Sequence, residues 1–250
     1  MKNNICTAII VAGGKGLRLD PAHPKQYLPL AGKPILIHTL ERFYDCGLFE
    51  RCVVALPAAD LAGWPTLCGR HHLDRAFFEA VAGGATRFDS VQAGLGALTR
   101  HYNNTAAKAS NDIWVAVHDG VRPLIGKAFL QACLQAAFKY GNAVPALPPV
   151  ESFRYLETLD TTEAANRPID RNRLRSLQTP QCARLSRLSA AFDRAAALPE
   201  TEKATRFTDE ATVLEYDGDR IHLCEGSPFN LKITRPIDLQ WAELALTSGL

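Results

Sequence analysis

The sequence has no excess of charge of either sign. Among its 250 residues, 28 Lys and Arg stand against 26 Asp and Glu, which leaves a formal net charge of only +2. A chain this close to neutral has no global basic field to attract nucleic acid or an anionic membrane surface, so neither is expected as a partner. Any affinity for phosphate must come from local groups of cations.

Paired cysteines and long apolar runs are also missing. The seven cysteines are scattered and odd in number, and no two of them form a C-x-x-C pair, which argues against zinc or disulfide scaffolds. No stretch reaches the length of a membrane span, and the opening MKNNICTAIIVAGG has too short an apolar run for a secretory signal. We therefore expect reduced thiols, no membrane association and a cytoplasmic location.

What the sequence does contain is an alternation of short apolar runs with longer helix-like segments. The series begins with ICTAIIV, ILIHTLERFYDCG and RCVVAL, and Gly47 and Gly141 stand where two of the helices should end. Strands that are apolar on both faces predict an α/β protein: a Rossmann-like, mostly parallel, twisted sheet with helices on both faces. No internal repeat is present, so residues 1–250 are expected to form a single domain.

Residues 148–175 interrupt this pattern. The stretch PPVESFRYLETLDTTEAANRPIDRNRLR has two extended-looking pieces around a polar turn, many charges and no continuous apolar face. This composition predicts a β-hairpin arm that projects from the main body.

A glycine-rich loop follows the first predicted strand, in the run IIVAGGKGLRLDPAHPKQY at residues 9–27. It lacks the P-loop spacing G-x-x-x-x-G-K-[ST], and Leu19 occupies the third glycine position of the dinucleotide fingerprint G-x-G-x-x-G. Backbone N–H groups of the loop can approach phosphate because Gly13, Gly14 and Gly16 have no Cβ. The flanking cations are Lys15, Arg18 and Lys25. From these residues alone, a phosphate-binding loop and a glycine turn with solvated cations both remain open.

Six motifs in order carry a resemblance to a known family. The loop and the following PKQY resemble A-x-G-x-G-x-R-[ML] and P-K-Q-[YF] of the nucleotidyltransferases that activate sugar and polyol phosphates. The later motifs are GGATRFDSV at 83–91, HDGVRP at 118–123, DRNRLRSLQTPQ at 170–181, FTDEATVLE at 207–215 and NLKITRPIDL at 230–239. Over nearly its full length the sequence is similar to the 2-C-methyl-D-erythritol 4-phosphate cytidylyltransferases.

This resemblance implies a reaction, a cofactor and an assembly. CMP would pass from CTP to 2-C-methyl-D-erythritol 4-phosphate, giving 4-diphosphocytidyl-2-C-methyl-D-erythritol and pyrophosphate in non-mevalonate isoprenoid precursor biosynthesis. Mg²⁺ would be held mainly by the CTP phosphates, with Asp119 nearby, because the sequence has no direct metal motif. A homodimer would form through the arm.

The resemblance also implies roles for individual residues. Arg18 and Lys25 are expected to hold the β- and γ-phosphates, and Lys232 to stabilise the α-phosphorus. Contacts with the nucleotide are expected from Ala12, Gly13, Gly14, Gly16, Gly83, Arg87 and Ser90. Contacts with the acceptor are expected from Asp119, Arg122, Ser152, Arg171 and Thr179, of which Arg171 and Thr179 would reach across the dimer interface to the neighbour's polyol phosphate.

Other residues in these motifs have a structural interpretation. Thr208 and Asp209 are interpreted as the start of a helix rather than as part of a site, and Asp89 or Ser90 as the cap of another helix. Lys232, which lies between two apolar neighbours, is expected on a strand.

Three alternative functions remain open at this point. A ribitol 5-phosphate cytidylyltransferase would share the P-K-Q-[YF] and N-x-K motifs. A non-catalytic nucleotide-binding or regulatory protein would keep the glycines, although the retained Arg18, Lys25, Asp119 and Lys232 argue against it. An NAD-dependent oxidoreductase is disfavoured by Leu19.

Overall fold

The structure is a computed structural model that describes residues 4–14, 24–104, 113–158 and 165–248. The predicted site residues Gly16 and Arg18, with their neighbour Lys15, lie outside this part of the chain.

A mostly parallel sheet occupies the centre of the described chain. Its strands are β1 (Ile5–Val11), β4 (Arg51–Leu56), β5 (Phe78–Ala82), β6 (Ile113–Asp119), β7 (Asn142–Leu147), β10 (Ser176–Leu177), β11 (Gln181–Arg184) and β12 (Leu223–Glu225). The order is β10-β7-β11-β6-β1-β4-β5, and β12 also pairs with β7. Strand β1 pairs in parallel with β4 and β6, whereas β11 runs antiparallel between β6 and β7. The predicted fold class is confirmed.

Helices cover both faces of this sheet. They are α1 (Ile35–Asp45), α2 (Trp64–Arg70), α3 (Arg87–Asn103), α4 (Lys127–Tyr140), α5 (Leu185–Ala195), α6 (Glu200–Arg206), α7 (Glu210–Tyr216) and α8 (Pro236–Thr247). Side chains of β1 alternate between two cores: Ala8 and Ile10 pack with α1, α2 and α4, while Ile9 packs with α3, α5 and α7. This is why the strand is apolar at successive positions. No helix in the described ranges is long and apolar enough to cross a membrane.

Two helices end at the glycines that the sequence marked. Gly141 caps α4 with φ +93°, and Gly47 follows Cys46, the C-cap of α1, with φ +64°. Both values lie in the left-handed region, where a side chain is strained and glycine is favoured.

The arm is a two-stranded hairpin, as predicted. Strands β8 (Phe153–Leu156) and β9 (Asn166–Ile169) pair antiparallel, with Phe153 opposite Ile169. All residues from 151 to 158 are exposed, including the large apolar side chains of Phe153, Tyr155 and Leu156. A second short hairpin, β2 (Pro29–Leu30) with β3 (Lys33–Pro34), precedes α1 and contacts α8.

Candidate active site

The candidate site lies where β1 and β6 end side by side. Val11 pairs with Asp119 in the parallel register, so the residues after β1 and the end of β6 meet at one edge of the sheet. Carboxyl ends of parallel strands are where α/β proteins bind their ligands. A cleft opens here, which we call the edge cleft. Its lining comprises Val11, Ala12, Gly13, Gly14, Lys25, Gln26, Gly84, Ala85, Thr86, Arg87, Ser90, Asp119, Val121 and Lys232.

The edge cleft therefore gathers eight of the predicted site residues from five separate segments. They are Ala12, Gly13, Gly14, Lys25, Arg87, Ser90, Asp119 and Lys232. Gln26 belongs to the same lining and was missed by the sequence reasoning. It is almost fully buried between Lys25 and Tyr27, and nothing in its sequence context marks it as inward-facing.

The Ser90 side chain lies against the glycine turns beside the cleft and forms a hydrogen bond with one of them. Its hydroxyl donates to the carbonyl of Thr86 at 3.0 Å and accepts from the N–H of Gly84 at 3.2 Å. A Cβ added at Gly83 would lie 2.8 Å from Ser90 Oγ, and one at Gly13 would lie 3.2 Å from it. Gly83 does not line the cleft, and the close approach of Ser90 explains why this position has no side chain. Contact of Gly83 with the nucleotide stays a prediction.

Helix α3 begins one turn before the expected cap. The sequence pointed to Asp89 or Ser90, but the N-cap is Thr86, whose side chain accepts from the N–H of Asp89 at 3.2 Å. Asp89 completes a capping box by accepting from the N–H of Thr86 at 3.0 Å. Asp209 caps α7 in the same way, as the sequence indicated, by accepting from the N–H of Thr212.

Asp119 is the charged centre of the site. Its Oδ2 lies 2.9 Å from Arg122 Nε and 3.1 Å from Lys232 Nζ, and its Oδ1 lies 3.6 Å from Arg87 Nε. Burial alone raises the pKa of Asp119, but Lys232, Arg87 and Arg122 together outweigh it and hold that pKa far below its usual range. Asp119 is therefore ionised, and the cluster formed by these four side chains keeps a positive balance suited to phosphate.

A chain of hydrogen bonds holds the turn from Asp119 to Arg122. Thr179 Oγ1 accepts from the N–H of Asp119 at 3.1 Å and lies 3.0 Å from His118 Nδ1, while His118 Nε2 lies 3.4 Å from the carbonyl of Arg122. Burial lowers the pKa of His118 to about 3, so its ring is neutral. The consistent pattern is that the Thr179 hydroxyl donates to Nδ1 and Nε2–H donates to the carbonyl.

Thr179 has its partners within its own subunit. It is only 4% exposed, and its hydroxyl is engaged by Asp119 and His118. Thr179 thus supports the Asp119 turn from inside the chain. Its reach across a dimer interface to the neighbour's polyol phosphate stays a prediction.

Lys232 does not lie on a strand, which corrects a prediction. Residues 230–234 have no strand pairing. Instead, Arg122 Nη1 donates to the carbonyl of Asn230 at 2.8 Å, and Asn230 Nδ2 donates to the carbonyl of Thr179 at 2.6 Å. The N–H of Ile233 donates to the carbonyl of Val121 at 2.9 Å. Lys232 is thus placed by contacts with loops, which apolar alternation cannot reveal.

A second, open hollow adjoins the edge cleft at Lys232. We call it the side hollow, and it is lined by Arg122, Ser176, Leu177, Gln178, Pro228, Asn230, Leu231, Lys232, Thr234, Arg235 and Asp238. Lys232 lines both spaces. Of the residues predicted to bind the acceptor, Arg122 belongs to this hollow.

Glu210 is a second member of the site that sequence reasoning missed. Its carboxylate accepts hydrogen bonds from both terminal nitrogens of Arg87, from Nη1 at 2.5 Å and from Nη2 at 2.9 Å. The side chain is buried, with only 1% of the residue exposed. Burial lowers the pKa of Arg87, but the Glu210 carboxylate outweighs this effect and raises that pKa above its usual range. Burial raises the pKa of Glu210, and the positive charge of Arg87 offsets part of this rise. The motif FTDEATVLE suggests a helix start, and nothing in it shows that Glu210 faces inward.

The predicted arm residues lie away from the edge cleft of their own subunit. Ser152 is exposed, and Arg171 is exposed at the base of the arm, where its Nη1 donates to the carbonyl of Val150 at 2.6 Å. Arg171 and Arg175 line a shallow depression with Pro148, Pro149, Val150 and Asn172. Contact of Ser152 and Arg171 with an acceptor stays a prediction.

A Rossmann-like sheet whose strand ends carry glycine turns and converging cations is typical of α/β proteins that bind nucleotides or other phosphorylated ligands. Residues 6–248 match the family model described as IspD, 2-C-methyl-D-erythritol 4-phosphate cytidylyltransferase. The chain belongs to this family, as the motifs predicted.

Individual relatives agree with this assignment. A 2-C-methyl-D-erythritol 4-phosphate cytidylyltransferase of Porphyromonas gingivalis is 39% identical over 242 residues, covering 96% of this chain and 97% of that protein. One from Bacteroides thetaiotaomicron is 36% identical over 234 residues, covering 94% and 96%. Among solved structures, the Francisella tularensis enzyme of this name superposes with a TM-score of 0.75 at 29% identity, covering 96% of this chain and 99% of that one.

Proposed function

We propose that this protein transfers CMP from CTP to 2-C-methyl-D-erythritol 4-phosphate, with release of pyrophosphate. The family assignment supports this reaction, and Lys232 is the observation that carries it. A cation that lines both the edge cleft and the side hollow lies where a nucleotide and an acceptor would meet. On this proposal the edge cleft binds CTP and the side hollow binds the acceptor.

The reaction needs alignment and charge neutralisation more than it needs a protein nucleophile. A phosphate oxygen of the acceptor attacks the α-phosphorus of CTP, and the bond from that phosphorus to the oxygen bridging to the β-phosphate breaks. Pyrophosphate then leaves with its negative charge. Lys232 would stabilise the charge at the α-phosphorus, and Lys25 would hold the departing phosphates. Arg18 keeps its predicted part in the same task, outside the described residues.

The residues present fit a magnesium ion carried by the nucleotide. No group of three or more His, Cys, Asp or Glu in the described ranges is arranged to hold a metal by itself. Asp119 supplies one ionised carboxylate, whose Oδ1 receives no hydrogen bond from the described residues. Mg²⁺ prefers such oxygen ligands together with substrate phosphates. When bound, the ion would neutralise phosphate charge.

We also propose that residues 1–250 form one domain that works as a homodimer in the cytoplasm. Exposed apolar side chains on the arm support a dimer, since Phe153 and Tyr155 are 41% and 46% exposed. Pairing through the arm would bring Ser152 and Arg171 of one subunit toward the other. The seven free cysteines, six of them buried, support a reducing compartment.

Pyrophosphate release tests this function directly. The purified protein is incubated with CTP and Mg²⁺, and with 2-C-methyl-D-erythritol 4-phosphate, ribitol 5-phosphate or no acceptor. We expect turnover with the first acceptor, little with the second, and none with either substrate omitted or with the metal chelated. Faster turnover of ribitol 5-phosphate would replace the proposed acceptor. Tight CTP binding without turnover of either would show a non-catalytic protein.

A further inference from the structure

Arg87 stands between two carboxylates but binds only one of them closely. Both terminal nitrogens donate to Glu210, at 2.5 Å and 2.9 Å, whereas its Nε stays 3.6 Å from Asp119 Oδ1. Charge-assisted N–H···O⁻ bonds are typically about 2.7–2.9 Å, so a shift of about 0.8 Å would bring Arg87 into direct contact with Asp119.

The two oxygens of Asp119 differ because of this arrangement. Oδ2 is engaged by Arg122 and Lys232, but no hydrogen bond from the described residues reaches Oδ1. That oxygen is the one that Arg87 faces, and Asp119 lines the edge cleft. Among the described residues, therefore, nothing occupies this ionised oxygen by a hydrogen bond, and a reactant bound in the cleft can use it.

Glu210 is held firmly enough to keep Arg87 in place. It is the first residue of α7, directly after the N-cap Asp209. Gln181 of β11 ties this turn to the sheet, because its Nε2 donates to Asp209 Oδ2 at 2.9 Å and its Oε1 accepts from the N–H of Ala211 at 2.8 Å. Strand β11 is paired with β6, which carries Asp119. Glu210 and Asp119 are thus fixed on the same framework.

We propose that Glu210 is a positioning residue that holds Arg87 back from Asp119 and so keeps Asp119 Oδ1 available to the reactants. The proposal rests on the proposed function, since it assumes that reactants bind beside Asp119. When the Glu210 carboxylate is lost, the guanidinium of Arg87 closes on Oδ1, and the reactants lose that oxygen. Outer partners of this kind typically change activity about 10- to 100-fold when they are removed.

Three variants separate this role from general damage. Glu210→Gln keeps the size of the side chain but removes its charge, and we expect kcat to fall about 10- to 100-fold at saturating substrates. Glu215→Gln is the matched control, because it makes the same substitution at an exposed carboxylate of α7 and leaves the Arg87 fork intact. We expect it to keep kcat within about two-fold of the unaltered enzyme.

The double variant Arg87→Met with Glu210→Gln is the decisive measurement. It removes the side chain that would close on Asp119, so its kcat should be several-fold higher than that of Glu210→Gln alone. It also leaves no uncompensated charge, so it is expected to fold; if Glu210→Gln does not fold, Glu210→Asp is compared with the double variant instead. Folding is checked by circular dichroism at the assay temperature.

Two results would overturn the inference. One is a double variant that is no faster than the single Glu210 variant, and the other is a Glu215→Gln enzyme that is as slow as Glu210→Gln. Failure of the proposed function shows differently, as absence of pyrophosphate release by the unaltered enzyme, whereas failure of this inference leaves that release intact.

Discussion

Replacing Thr179 by Val tests the buried hydrogen-bond chain behind the site. Valine keeps the shape of the side chain but removes the hydroxyl, which leaves the Asp119 N–H and His118 Nδ1 without their partner. Each buried polar group without a hydrogen bond costs about 1–3 kcal/mol, so the loss of two partners should lower the free energy of unfolding by about 2–6 kcal/mol. The turn that carries Asp119 should also loosen, and kcat should fall.

Urea unfolding at neutral pH measures this loss, and Thr179→Ser is its control. Serine keeps the hydroxyl and deletes only a methyl group, so its free energy of unfolding should fall by about 1 kcal/mol. The m-values should stay equal, which shows that the change lies in stability rather than in the unfolded state. Equal losses for valine and serine would refute the hydrogen-bond chain, and a valine enzyme as stable as the original would do so more directly.

Other predictions address catalysis, pH and a helix end. Lys25→Ala should keep the fold and lose about 3–4 kcal/mol of transition-state stabilisation, seen as a drop in kcat/KM of about 100-fold or more; near-normal turnover would remove its assigned role. The unfolded chain protonates His118 near pH 6.5, but burial lowers the pKa of the folded form to about 3. The contribution of His118 to the free energy of unfolding is therefore fully present above pH 6.5. It falls by about 1.4 kcal/mol per pH unit as the pH drops from 6.5 toward 3, because the unfolded chain binds a proton that the folded form does not. Urea midpoints should show a flatter pH dependence for His118→Phe, and an unchanged slope would contradict this. Gly141→Ala should cost about 1–2 kcal/mol because φ is +93° at this position, as measured by thermal unfolding.

Local patterns in the sequence predicted the elements that have their own periodicity. Strand β1 occupies Ile5–Val11, the apolar run that the sequence shows, and α4 ends directly before Gly141, the glycine that the sequence marked. The short helices α2 and α6 were not predicted, because each has only seven residues and no long apolar face. Their positions depend on packing against the rest of the chain.

The parts of the site that escaped prediction are the ones made by distant pairs. Arg87 and Glu210 are 123 residues apart, and Thr179 lies 60 residues from Asp119. No spacing rule in a single sequence connects such positions. The sequence therefore did not show that Glu210 binds Arg87 or that the Thr179 hydroxyl accepts from the N–H of Asp119. The family resemblance predicted that Lys25, Asp119 and Lys232 belong to one site. It did not show which oxygen of Asp119 receives no hydrogen bond from the described residues.

The position of Lys232 on the border of two spaces has a consequence for inhibitor design. A compound that joins a cytidine unit to a polyol phosphate through a link resistant to cleavage would occupy both spaces and contact Lys232 from each of them. A substitution of Lys232 would then weaken the binding of both halves of the compound. The same substitution would also weaken the binding of the enzyme's own substrates, so resistance by this route would reduce activity.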